Sequence, residues 1–170
     1  EALSSRIGAH RVLGGSATHS AWRDGDGVVH WSGRGSVSLG NHDGSDPGEV
    51  ASNLLSVLGE AGLNPKWSSD IESEIWRKLL INVAINPVCA IAGVRNGALT
   101  EVPELWEQSI GAMREAETVA KAAGINLGEI DPEEFLRKVV VATAENRVSM
   151  LQDLMAGRRT EIDVLCGAVV

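Results

Sequence analysis

Asp70-Ile-Glu-Ser-Glu-Ile-Trp-Arg-Lys-Leu-Leu-Ile-Asn-Val-Ala-Ile-Asn86 is the stretch on which both fold and chemistry turn. Ser69 and Glu72 have capping-box spacing and Asn86-Pro87 reads as a stop, which predicts a helix over 69–85. At 100° per residue, Lys78, Asn82 and Asn86 follow one another at i, i+4 and i+8 on one stripe with Ile71, Ile75 and Leu79. Trp76, Leu80 and Val83 make the opposite side apolar too, which predicts a helix enclosed nearly all round. An enclosed ammonium and two carboxamides need partners, since each buried polar group left unpaired costs roughly 1–3 kcal/mol or more. Two readings are open. Either the lysine extends to solvent and the asparagines bond backbone, or the three line a polar pocket. In that pocket a cation would hold or protonate an oxygen, and the amides would orient a ligand.

The remainder of this half also reads as helix. A segment over 101–123 stops at Gly124, and another over 131–155 opens with Asp131-Pro132-Glu133-Glu134 and breaks at Gly157. Thr160 caps the start of a last helix. Asn146 and Ser149, three apart, share a face of the 131–155 helix, although a mid-helix serine ordinarily bonds its own backbone. Glu161, one residue past the Thr160 cap, is ordinarily a plain helix-start acid. Arg158-Arg159 reads as a solvated helix end.

The half before the quoted stretch has another character. Twelve of the 19 glycines lie in residues 1–68, and the formal charge is −2 there against −6 beyond, so a boundary falls near 65–70. Strands are expected over 16–22, 28–31 and 36–39, the first two joined by the turn Arg23-Asp24-Gly25-Asp26-Gly27. A helix follows, with Asp46 as N-cap, Pro47 in first position and Glu49 completing the box. Leu54, Leu55, Val57 and Leu58 form its apolar face and Gly62 its stop.

Composition excludes several classes. Fifteen basic residues face 23 acids, a net charge of −8 over 170 residues, which argues against nucleic acid or an anionic membrane surface as partner. The longest apolar run, 79–85, is interrupted by Asn82 and falls short of the roughly 18 residues of a membrane span. Cys89 and Cys166 are too far apart for a zinc motif or disulfide framework, which points to a cytoplasmic setting and no metal. His10, His19, His30 and His42 lack ligand spacing and read as strand residues. Gly25-x-Gly27 and Gly33-x-Gly35 lack the third glycine and the strand-to-helix context of a dinucleotide loop. The chain starts at Glu1 without an initiator Met and ends at Gly-Ala-Val-Val inside an apolar helix, as expected of a fragment.

Taken together, Glu74-Ile-Trp76-Arg-Lys78-Leu-Leu-Ile-Asn82-Val-Ala-Ile-Asn86-Pro87 and the following Asn96-Gly97 resemble the signature of the ketopantoate reductase (2-dehydropantoate 2-reductase) family. So do Ala142-Thr-Ala-Glu-Asn146-Arg-Val-Ser149-Met-Leu-Gln-Asp153 and Thr160-Glu161-Ile-Asp163. Ala17-Thr18-His19-Ser-Ala-Trp-Arg23-Asp24-Gly25 is similar to the strand and turn that close that family's nucleotide-binding domain. The resemblance implies a mainly α chain. Its all-helical substrate domain, over 69–170, would be like the C-terminal domain of 6-phosphogluconate dehydrogenase and truncated at its end. The α/β tail of a truncated Rossmann domain that binds NADPH would precede it over 1–68.

The activity implied is reduction of ketopantoate to pantoate by NADPH, on the way to pantothenate and coenzyme A, with the fragment inactive alone. Lys78 would be the general acid. Asn82, Asn86 and Asn96 would hold substrate oxygens, and Asn146 and Ser149 the carboxylate. Glu161 would bond the substrate hydroxyl and approach the cofactor ribose. The implied partners are the small-molecule substrate and a second copy in a homodimer, without nucleic acid or membrane. Two alternatives stand beside this reading: a sister reductase of another branched 2-oxo acid, and a non-catalytic helical module that binds a partner protein through its polar stripe.

Overall fold

Short runs of small and β-branched residues, punctuated by glycine, build the first part of the chain. The computed structural model describes residues 2–23, 25, 27–167 and 169. Helix α1 (Ala2–Ile7) and a single 3-10 turn lead into β1 (Gly14–Ala17), β2 (Ser20–Arg23), β3 (Val29–Gly33) and β4 (Val37–Gly40). Helix α2 (Glu49–Glu60) and β5 (Pro65–Trp67) follow. β1 pairs antiparallel with β4, and β4 pairs parallel with β5 through the α2 crossover, giving the sheet order β1-β4-β5. β2 and β3 form a separate hairpin. A parallel pair needs such a crossover, so β4-α2-β5 is a βαβ unit, the building block of a doubly wound sheet.

The expected strand over 16–22 is instead two strands in two sheets. Thr18 and His19 interrupt it because their side chains bond elsewhere. The Thr18 hydroxyl accepts from the Ser36 amide (2.9 Å), and His19 Nδ1 accepts from the Gly35 amide (3.1 Å). The imidazole proton is therefore on Nε2, which donates to the Leu63 carbonyl (3.0 Å), so His19 is a packed histidine in the break between β1 and β2, not within a strand as expected. Gly35 is required here, since a Cβ would collide with the Thr18 backbone. Asp24 and Asp26 of the expected turn lie outside the described residues.

α2 also starts later than expected. Its N-cap is Gly48, and neither Asp46 nor Glu49 caps it, because the Asn41 amide binds Ser45 and the Asp46 carbonyl and holds them in the loop. Its inward face is Ala51, Leu55 and Leu58, while Leu54 and Val57 are exposed. Gly62, at φ +73°, ends it as expected.

The second part is helical: α3 (Ile71–Ala92), α4 (Ala98–Glu101), α5 (Pro103–Ala122), α6 (Pro132–Ala142), α7 (Ser149–Met155) and α8 (Ile162–Leu165). The chain divides into two compact units, Glu1–Ile75 and Trp76–Val170, with the division inside α3. Asp70, not Ser69, caps α3: its carboxylate accepts from the Ser73 amide (3.3 Å) and hydroxyl (2.7 Å). The helix then runs through Asn86-Pro87 to Ala92 instead of stopping. An interior proline lacks an N–H and crowds the carbonyl four residues back, at roughly 3 kcal/mol. Ile85, Cys89 and Ala90, buried on both sides of it, hold the helix together.

At 22 residues α3 is long and apolar enough to cross a membrane by length and composition alone, which the interrupted run over 79–85 did not suggest. Its buried side is the spine of the helical core: Leu80, Val83 and Cys89 pack in one cluster with Leu99, Met113, Leu136 and Val148.

The helix expected over 101–123 is α5, with Gly124 at φ +77° behind it as its stop; Val102, extended because it precedes Pro103, sets it off from the short α4. The helix over 131–155 is two, α6 and α7, for a reason that belongs to the site. The Asp131 cap is as expected, with its carboxylate accepting from the Glu133 and Glu134 amides.

Cys89 is fully enclosed in this core, and burial pushes its thiol up to about 11 from the 9.0 of a free thiol. Protonated in the folded state and ionisable in the unfolded one, it contributes stability that is complete below pH 9.0 and lost as pH rises towards about 11. Denaturant midpoints at pH 8 and pH 10 are expected to fall further apart in the wild type than in Cys89→Ala.

Candidate functional site

Lys78, Asn82 and Asn86 keep their single stripe on α3, and their exposure falls along it. Lys78 is exposed, Asn82 half-buried and Asn86 only 8% exposed. The expectation of a helix enclosed nearly all round is thus met over 83–86 and at Cys89 and Ala90; before Leu80 in α3 only Ile71 and Ser73 are buried, while Glu72 and Lys78 are exposed. Neither the Asn82 nor the Asn86 carboxamide has a hydrogen-bond partner among the described residues. Arg77, adjacent to the lysine, donates Nε to the Leu127 carbonyl (3.1 Å), which ties this part of α3 to the segment after α5.

Gly93, at φ +68°, ends α3, and the next residues form a second feature. Asn96 is buried, and its Nδ2 donates to Thr143 Oγ1 (2.9 Å). Thr143 in turn donates that hydroxyl to the Val139 carbonyl (2.8 Å). The backbone amides of Asn96 and Gly97 donate to the carbonyls of Asn146 (3.1 Å) and Ala144 (3.0 Å). Arg95 Nη1 reaches the Glu145 carbonyl (2.7 Å) and carboxylate (3.0 Å). Three consecutive residues thereby bind four consecutive ones. Asn96 Oδ1 is left buried with no partner among the described residues, a deficit of roughly 1–3 kcal/mol unless a water or a ligand donor meets it.

This clamp corrects the placement of the Asn146–Ser149 pair. They do not share a helix face: Asn146 lies in the link between α6 and α7 and Ser149 is the first residue of α7, both exposed. The carbonyls of Ala144, Glu145 and Asn146, which a continuous helix would use for itself, are taken by the 95–97 turn. Glu161, rather than Thr160, occupies the N-cap position of α8. It caps with no side-chain bond, and its side chain is exposed. Arg158 and Arg159 pair with Asp153 and Asp163, as a solvated helix end would.

The described hydrogen bonds therefore bring Asn96 and Asn146 together. The other candidates are held to the same core by their neighbours, since Ile85, Val148 and Leu165 belong to one packed cluster. Sequence reasoning missed Arg95 and Thr143, and treated Gly97 only as part of a motif. The available signal was a β-branched run, Val139-Val-Val, followed after Ala142 by a threonine able to bond its own helix.

With this geometry in view, comparison with known proteins is decisive. Residues 70–170 match the family model described as ketopantoate reductase PanE/ApbA C terminal. The chain belongs to this family. It is similar to the 2-dehydropantoate 2-reductase of Archaeoglobus fulgidus, 41% identical over 94% of this chain and 53% of that one. Among solved structures it is similar to 2-dehydropantoate 2-reductase from Geobacter metallireducens GS-15 (TM-score 0.86, 27% identity, 99% of this chain and 56% of that one). It is also similar to D-mandelate dehydrogenase in a ternary structure with NADH and anilino(oxo)acetate (TM-score 0.83, 29% identity, 98% of this chain and 55% of that one). The chain spans about half the length of the curated relatives it matches.

Within this ketopantoate reductase C-terminal fold, the stripe offers one cation and two carboxamides, the clamped link an amide at Asn146, and the start of α7 a hydroxyl at Ser149. A Cβ on Gly97 would lie 3.1 Å from Ala144 Cβ and 3.3 Å from its carbonyl. Gly97→Ala is therefore expected to push the turn off the link and cost roughly 1–3 kcal/mol, measurable by denaturant titration.

Proposed function

We propose that the protein carrying these residues reduces 2-dehydropantoate to pantoate with NADPH. The observation that supports this reading best is the α3 stripe: a lysine followed at helical spacing by two unpartnered carboxamides of increasing burial, in a chain of this family.

The nicotinamide cofactor, when bound, supplies the hydride to the substrate carbonyl carbon. The oxygen left behind needs a proton donor already in place. Lys78, on a helix anchored by its core side and by the Arg77 tie, meets that need as general acid. Asn82 and Asn86 orient substrate oxygens, and Asn96 adds a buried amide oxygen. Asn146 and Ser149 give the carboxylate neutral donors, which hold it without a second cation competing with Lys78. Glu161, an exposed carboxylate free of capping duty, is chemically fit to accept from the substrate hydroxyl and a cofactor ribose hydroxyl. No other residue of this chain is assigned to the cofactor, and the 170 residues alone are accordingly expected to lack reductase activity.

One observation favours a second reading. D-mandelate dehydrogenase, to which this chain is similar, is solved with NADH and anilino(oxo)acetate, which supports a reading with another 2-oxo acid and NADH. The test is oxidation of NADPH and NADH by the native protein with ketopantoate, pyruvate, 2-oxoisovalerate and benzoylformate. Strong preference for ketopantoate with NADPH is the expected result; turnover confined to a comparator would transfer the chemistry to the second reading. Lys78→Ala is expected to lower kcat by roughly 10²–10⁴ while NADPH affinity is retained, as read by fluorescence titration. Unchanged turnover would remove Lys78 from the proton-donor role.

A further inference from the structure

We propose that Thr143 is a positioning residue that acts through Asn96 to set the carboxylate-binding link. The inference rests on the proposed reductase reading and names a residue outside its binding set. The Thr143 hydroxyl has one proton, and the Val139 carbonyl, which can only accept, takes it at 2.8 Å. Towards Asn96 the oxygen therefore presents a lone pair, and the carboxamide must turn its NH2 to it, at 2.9 Å.

That choice fixes the amide orientation, and with it the 95–97 turn whose N–H groups bind the carbonyls of Ala144 and Asn146. The link is held at its other end by Val148, which is buried in the helical core. Asn146 stands between these two anchors and Ser149 directly follows the second, both with exposed side chains. The hydroxyl thus decides where two substrate-binding donors stand without touching the substrate.

Two substitutions in the native protein separate this role from packing. Thr143→Val keeps the shape and removes the hydroxyl, leaving Asn96 Nδ2 without its acceptor. Thr143→Ser keeps the hydroxyl and removes the methyl. The valine variant is expected to raise the KM for the 2-oxo acid roughly 10- to 100-fold with NADPH affinity unchanged, and the serine variant to behave as wild type. Amide hydrogen exchange over 94–98 is expected to quicken in the valine variant and not in the serine one.

A valine variant with wild-type KM and exchange overturns the proposal. So does equal impairment of both, which would assign Thr143 to packing. If Thr143→Val does not fold, Thr143→Ala takes its place and must show the same KM and exchange changes. The exchange measurement needs no turnover. A native protein that reduces no 2-oxo acid would therefore sink the functional reading, while the exchange data would still decide whether Thr143 holds the turn.

Discussion

Burial of the second half of α3 is the constraint on which the helical unit depends. Stopping the helix at Asn86-Pro87 would satisfy the local preference of proline, but it would take Cys89 and Ala90 out of the core they share with Leu80 and Val83. The gain from enclosing those side chains outweighs a local penalty of roughly 3 kcal/mol. Continuation to Ala92 also sets where the chain turns. Gly93 reverses it, and the next residues arrive as the 95–97 turn beside the end of α6. The length of α3 therefore reaches the site twice, through the stripe it carries and through the turn it delivers.

That turn resolves a competition. The carbonyls of residues 144–146 have two claimants: the amides of a continued α6, and the donors of Arg95, Asn96 and Gly97. Either outcome satisfies the backbone, so the net difference is small and side chains decide it. Thr143, bonded to its own helix and to Asn96 at once, favours the break. Gly97 allows the close approach. A segment with helical character thereby becomes a fixed link that presents Asn146, with Ser149 opening the next helix.

What the sequence shows well is what depends on near neighbours. Asp131 before Pro132 caps α6, Gly62 and Gly124 end their helices at positive φ, and the i, i+4 spacing of Lys78, Asn82 and Asn86 survives intact because it needs only the helical period. What it hides depends on distant partners. The strand over 16–22 breaks because His19 and Thr18 bond residues 35, 36 and 63, and Pro87 is overruled by a core assembled from six helices. The family resemblance groups residues by motif and carries no information on how they are held. It groups Asn96 with Asn82 and Asn86, although Asn96 alone is committed to a structural bond.

The gradient along the stripe bears on selectivity. On the proposed reading, exposed Lys78 deals with the reacting oxygen that every 2-oxo acid shares, and it distinguishes among them little. Asn86, nearly buried and unpartnered, is different: whatever enclosed group lies against it must supply a hydrogen bond, or the carboxamide is left unmet in a low dielectric. Sites of this kind reject analogues that lack the polar group far more strongly than apolar pockets reject a missing methylene, by roughly 10⁴–10⁵ against 10–200. On the proposed reading, proton delivery belongs to the open end of α3 and substrate choice to its buried end. A single helix can then keep its lysine while substitutions near its second half change the acid it serves, which is one physical reason why reductases of different 2-oxo acids can share this fold.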